Sequence, residues 1–147
     1  MIKIEYNIED DGWALAKISN GKEQSKFSVS YLNDSLLELA ESAIEIGDKH
    51  NKSIVFMEEP GEHVLILNCD DGEFIDYELR WYKEWWSWGM EDENNYKVVL
   101  NGQTRVVKYV NQVKNLMEKI ITEIGIEKYK QKWVKHDFPF AEYEKLK

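Results

Sequence analysis

The chain has 147 residues, a formal net charge of −9, 43% hydrophobic residues and 13% aromatic residues. This length and composition fit one domain over residues 1–147 with a real core, so they exclude a disordered chain. The lysines and arginines form no basic block. That disfavours nucleic acid and anionic membranes as partners and favours a basic protein, because phosphate groups bind positive patches.

The first third of the chain predicts a three-stranded meander. Apolar residues alternate with polar ones over residues 2–8, and a second strand is expected over residues 13–19. Asn20-Gly21 favours a tight hairpin turn, since both positions tolerate positive φ. Alternation then resumes over residues 27–31.

Helical spacing follows the meander. Leu36, Leu39, Ala40 and Ala43 predict an amphipathic helix. Asp34 or Ser35 is the expected N-cap, and Ser35 with Glu38 fits a capping box. Gly47 is the expected end.

Four more strands are expected, over residues 53–58, 64–69, 75–81 and 96–100. Pro60-Gly61 fits the central positions of a type II turn, and Asp71-Gly72 fits a hairpin. The near-continuous apolar run over residues 64–69 predicts burial on both faces and a buried thiol at Cys69. The inner face of the next strand is Ile75, Tyr77, Leu79 and Trp81.

The C-terminal third is predicted to be helical. Asn101-Gly102 is expected to turn the chain into a helix whose apolar stripe spans residues 106–124 and which Gly125 ends. Residues 126–134 predict a second helix, residues 137–140 break it, and residues 141–147 read as a polar tail.

The predicted fold is therefore α+β, with element order βββ-α-ββββ-α-α. Hairpin turns connect the strands, which indicates a mostly antiparallel sheet of six to seven strands with the helices packed on one face. The N-terminus lacks a basic flank followed by an apolar segment, and no apolar run approaches the ~20 residues of a membrane span. We therefore expect a cytoplasmic protein.

No motif predicts a reaction. His50, His63 and His136 have no spacing that suits metal ligands, and no nucleophile motif or glycine-rich phosphate loop is present. We predict no catalytic residue, no metal site and no cofactor, and hence a protein that is not an enzyme.

The strongest local signal is the segment WYKEWWSWGMEDE at residues 81–93. Alternation along the preceding strand places Trp81 in the core and leaves Trp85 undecided. Trp86 and Trp88 either plug one end of the sheet or are exposed for a partner, because tryptophan serves both purposes well. The candidate partner-binding residues are Trp85, Trp86, Trp88, Glu91, Asp92 and Glu93, with the three acids forming a charged rim.

Residues 11–43 and 56–67, together with the WYKEWWSWGM segment, resemble a family of small uncharacterised bacterial proteins. This resemblance implies a bacterial cytosolic origin and no catalytic residue. In size, charge, α+β build and absence of catalytic motifs, the chain is also similar to small acidic bacterial immunity proteins.

Three functional hypotheses remain open at this point. The first is a non-enzymatic protein-binding domain of the immunity or inhibitor type, which masks a basic partner such as a toxin. The second is a small-ligand module or enzyme with a tryptophan-lined pocket. The third is a structural or oligomeric protein, and the sequence does not decide the oligomeric state.

Overall fold

The seven predicted strands are present and antiparallel, but they form two sheets. The computed structural model describes residues 1–48 and 51–147. A three-stranded sheet has the order β1-β2-β3, and a four-stranded sheet has the order β4-β5-β6-β7. The strands are β1 Lys3–Ile8, β2 Trp13–Ser19, β3 Gln24–Ser30, β4 Asn51–Met57, β5 Glu62–Asn68, β6 Phe74–Tyr82 and β7 Lys97–Arg105.

Within residues 1–48 and 51–147, four helices complete the α+β fold. They are α1 Ser35–Glu45, α2 Val106–Glu123, α3 Ile126–Trp133 and α4 Phe140–Leu146. One hydrophobic cluster draws on both sheets and all four helices, so the two sheets share a core. No helix in the described part of the chain has both the length and the apolar content that crossing a bilayer requires.

The start of α1 differs from the predicted capping box. Asp34 is the N-cap and accepts a hydrogen bond from the Leu37 amide at 3.4 Å. The Ser35 hydroxyl instead donates to the Val55 carbonyl at 2.8 Å, and Glu38 accepts from the Val55 amide at 2.8 Å. Both side chains therefore join α1 to β4. These hydrogen bonds connect residues that are far apart in the sequence, so the local sequence does not predict them.

The turn between β4 and β5 is also different from the prediction. The Glu59–Pro60 peptide bond is cis, and the Glu58 amide donates to the Gly61 carbonyl at 2.9 Å. This hydrogen bond pairs the residues on either side of Glu59 and Pro60, so these two residues, and not Pro60 and Gly61, lie at the centre of the turn.

Asn101-Gly102 lies inside β7 and does not turn the chain into α2. The ladder to β6 shifts register at Leu79/Arg80, and β7 then continues to Arg105. Gly102 is required there because an added Cβ would lie 2.6 Å from the Tyr77 hydroxyl oxygen. The glycine thus provides room for a cross-strand side chain.

The C-terminal segment predicted as a polar tail forms α4. Tyr143 is buried in α4, and its ring lies 6.4 Å from that of the buried Phe138. The two aromatic side chains fix this segment on the core, which explains why the four charged residues of positions 141–147 do not leave it unstructured. Cys69 is buried, as predicted.

Candidate protein-binding loop

The connection between β6 and β7, residues 83–96, is called here the tryptophan loop. Its first half is compact, because Trp86–Trp88 forms a short 3₁₀ helix and Gly89 ends it at φ 75°. The Met90 amide donates to the Trp85 carbonyl at 2.8 Å and closes this turn. The positive φ at position 89 is one that glycine adopts at no steric cost.

A buried carboxylate of β5 holds the loop in place. Glu62 is 0% exposed. Its Oε1 accepts from the Ser87 amide and its Oε2 accepts from the Ser87 hydroxyl, both at 2.8 Å. Burial raises the pKa of Glu62, and the two bonds from Ser87 oppose that rise.

Two further anchors fix the loop. The Trp85 indole Nε1 donates to the Glu58 carbonyl at 2.7 Å. The Trp86 ring stacks on the Tyr82 ring, with centroids 5.4 Å apart and planes 15° apart. The Tyr82 hydroxyl donates to the Glu93 carbonyl at 2.6 Å, so Tyr82 contacts the loop near both of its ends.

The four tryptophans of the segment have different environments. Trp85 and Trp86 are half-buried, and their rings take part in the anchors. Trp88 is 55% exposed, and its ring meets that of Trp85 edge-on at 4.8 Å. The neighbouring Met90 is 57% exposed. Trp85 and Trp86 are therefore partly packed, whereas Trp88 is exposed to solvent.

Trp81 is the exception to the predicted inner face of β6. It is 37% exposed, whereas Ile75, Tyr77 and Leu79 of the same strand are buried. Trp81 pairs with Lys97, the first residue of the edge strand β7, so it lies at the end of the sheet where the core covers it only in part. The prediction that Trp81 belongs to the core was therefore wrong.

The three acids occupy the second half of the loop. Glu91 is half-buried and accepts from the Asn95 amide group at 3.0 Å. Asp92 accepts from the Asn94 backbone amide at 2.8 Å, and both Asp92 and Glu93 are exposed. A cavity of about 260 Å³ borders this region, and Trp81 is the one tryptophan that lines it.

The histidines inside the described ranges bond to protein groups. The His63 Nδ1 lies 2.8 Å from a Glu58 carboxylate oxygen, and its ring stacks on Phe27 at 3.9 Å. The His136 Nε2 lies 2.9 Å from the Tyr31 carbonyl oxygen. His50 lies outside the described residues.

Sequence reasoning missed two of the residues that hold the loop, Glu62 and Tyr82. A signal existed for Glu62, which shares a strand face with the buried Val64 two positions later. An acid on an apolar strand face requires polar partners from elsewhere. Tyr82 offered no comparable signal, because its partners lie in an irregular segment.

Glu62 makes stability depend on pH in a defined direction. Its pKa is higher in the folded than in the unfolded chain, so the folded state binds a proton more strongly and is stabilised as pH falls through that interval. As the pH falls from neutrality towards the ordinary glutamate pKa of about 4.3, we expect the free energy of unfolding to rise more for the wild type than for Glu62→Gln, by less than ~1.4 kcal/mol per pH unit. Urea denaturation at a series of pH values measures both slopes, and equal slopes would contradict the assignment.

Comparisons with known proteins place the chain in no family. No family model and no curated protein matches the chain. The chain is similar to one in the solved structure described as "CdiA-CT/CdiI toxin and immunity complex from Enterobacter cloacae". The two are 11% identical with a TM-score of 0.47, over 80% of this chain and 99% of that chain. A likeness of this size carries no argument about function.

Proposed function

We propose that the chain is an acidic, non-enzymatic, cytoplasmic protein-binding domain of the immunity or inhibitor type, which masks a basic partner such as a toxin. The observation that carries this proposal is Trp88, which is 55% exposed on a loop anchored by hydrogen bonds to Glu62 and Glu58. A large aromatic ring held out in a fixed position suits recognition better than packing.

The anchors reduce the cost of binding. A partner that docks on a mobile loop loses affinity to the ordering of that loop, at about 0.5–1.5 kcal/mol per immobilised side chain. The Ser87–Glu62 bonds and the Trp86–Tyr82 stack order the loop in advance. Trp88 and Met90 then offer apolar area of the kind found at binding hot spots.

The charge around Trp88 indicates the class of partner. Asp92 and Glu93 are exposed on the same loop, and the whole chain carries a net charge of −9. Such a surface accelerates the approach of a basic protein and repels an acidic one. We assign Trp88 as the anchor, Trp85 and Trp86 as its support, and Glu91, Asp92 and Glu93 as the rim.

A displayed library of small basic domains tests the assignment. After selection on the wild-type protein, we expect Trp88→Ala to weaken binding of the selected domains by about 2 kcal/mol or more, roughly thirtyfold. Val107→Ala is the matched control, since Val107 is 67% exposed on α2, outside the loop. Equal affinity of the Trp88→Ala variant and the wild type would remove Trp88 as the anchor.

Salt dependence tests the rim. We expect the triple change of Glu91, Asp92 and Glu93 to the corresponding amides to lower the association rate and to flatten its dependence on salt. The dissociation rate should change little, because rim charges act mainly on encounter. An unchanged association rate would show that these acids only solvate the loop.

A further inference from the structure

A second candidate site lies at the junction of β7 and α2 and is independent of the proposed function. A cavity of about 530 Å³ is present there, with polar and apolar walls. Its lining includes Ile2, Phe74, Thr104, Arg105, Lys108 and Gln112. We propose that this cavity binds an organic anion, namely a phosphate or carboxylate group on a small apolar body.

Thr104 contributes a hydroxyl to the wall of this cavity. The residue is 5% exposed, and it pairs with Ile75 across the β6–β7 ladder. Its hydroxyl makes no hydrogen bond to any residue in the ranges 1–48 and 51–147. An O–H group at the cavity wall can donate a hydrogen bond to an acceptor oxygen of a ligand.

Lys108 makes this wall of the cavity positive, and Arg105 adds N–H donors. Lys108 is exposed and forms no ion pair within the described ranges. The Arg105 Nη1 donates to Glu73 at 2.9 Å, which leaves the other N–H groups of the guanidinium for a ligand. An arginine beside a lysine is a common arrangement for phosphate and carboxylate groups.

The first turn of α2 adds to the positive potential. This 18-residue helix has no acid in its first turn and no side-chain N-cap. The Val106 amide donates to the Glu73 carbonyl at 2.8 Å, but the amides of Val107 and Lys108 have no acceptor within the helix. The aligned dipoles of the helix favour an anion at this end.

The remaining wall suits an apolar body. Ile2 and the Phe74 ring line the cavity, and the Arg105 guanidinium lies 4.9 Å from the centre of that ring. The Gln112 Oε1 accepts from the Ile4 amide at 3.1 Å, which orients its NH₂ group as a further donor. The volume is within the range of about 300–1,000 Å³ that is typical of small-molecule sites.

Four probes distinguish the anion from the apolar body: phenyl phosphate, benzoate, inorganic phosphate and benzyl alcohol. We would titrate each into the ¹⁵N-labelled full chain at about 0.15 M salt, where the Debye length of about 8 Å screens the net charge. Saturable shifts of the Thr104 and Lys108 amides are expected with phenyl phosphate or benzoate. The ratio of the dissociation constants of phenyl phosphate and benzoate identifies the preferred head group. The absence of a saturable shift with both phenyl phosphate and benzoate would overturn the proposal, and so would benzyl alcohol that binds as tightly as they do. If inorganic phosphate binds as tightly as phenyl phosphate, the apolar part of the ligand contributes nothing and that part of the proposal is wrong.

Variants test the assigned contacts. Lys108→Gln and the isosteric Thr104→Val should each weaken binding by about tenfold. Lys119→Gln removes the same charge from α2 outside this cavity and should leave binding unchanged. If Lys108→Gln and Lys119→Gln weaken binding equally, the loss of affinity comes from the change in net charge, and the assignment of the ligand to this cavity is wrong. Trp88→Ala should leave this binding intact, which separates it from the protein-binding proposal.

Discussion

Glu62→Ala is expected to lower the free energy of unfolding by about 3 kcal/mol. The side chain is fully buried and holds both the amide and the hydroxyl of Ser87. Its removal deletes two hydrogen bonds to a charged acceptor and leaves both Ser87 donors without their partner. Urea denaturation followed by circular dichroism measures the change.

Glu62→Gln is the matched control for this effect. Its carbonyl oxygen can accept from the Ser87 amide while its NH₂ group donates to the Ser87 hydroxyl. The raised pKa of Glu62 shows that the buried charge itself is unfavourable, so we expect this variant to keep the stability of the wild type at neutral pH. A loss as large as that of Glu62→Ala would mean that the charge, and not the pair of bonds, holds the loop.

The two variants should also differ in the exposure of the tryptophans. With Glu62→Ala the loop loses one of its anchors, and acrylamide should quench a larger share of the indole fluorescence. With Glu62→Gln the quenching should match that of the wild type. Unchanged quenching in both would show that Trp85 and Tyr82 are sufficient to hold the loop.

The strands and the longest helix could be predicted because their signals are local. Alternation located β1 and β2, and an apolar stripe located α2 between residues 106 and 123. The division into two sheets could not be predicted, because hairpin signals define neighbouring strands but not which sheet each hairpin joins. The same limit applies to Gly102, whose role depends on Tyr77 of the neighbouring strand.

The loop could be located from sequence, but the roles within it could not. The density of tryptophans identified residues 81–93 as the candidate partner-binding segment. Whether Trp86 or Trp88 faces solvent depends on the Tyr82 ring and on the Glu62 carboxylate, which are joined to the loop only in the folded chain. Pattern alone therefore left both packing and binding open for rings that have different environments in the fold.

Tyr82 connects the two halves of the tryptophan loop. It is 1% exposed, and its ring also lies 5.7 Å from that of Tyr96. The stack with Trp86 supports the first half of the loop, and the hydroxyl bond to the Glu93 carbonyl supports the second. Removal of the ring therefore affects both halves at once.

Tyr82→Ala is expected to lower the free energy of unfolding by about 3–5 kcal/mol, as for other buried aromatic side chains. Tyr82→Phe keeps the ring stack and removes only the bond to Glu93, so it should cost about 1 kcal/mol. Urea denaturation gives both values, and amide hydrogen exchange over residues 83–96 reports the loop. We expect exchange to accelerate near Glu93 in Tyr82→Phe but along the whole loop in Tyr82→Ala, because the hydroxyl supports one half and the ring supports the other. Equal exchange in the two variants would show that the hydroxyl alone fixes the loop, and the Trp86 stack would then add little to the presentation of Trp88.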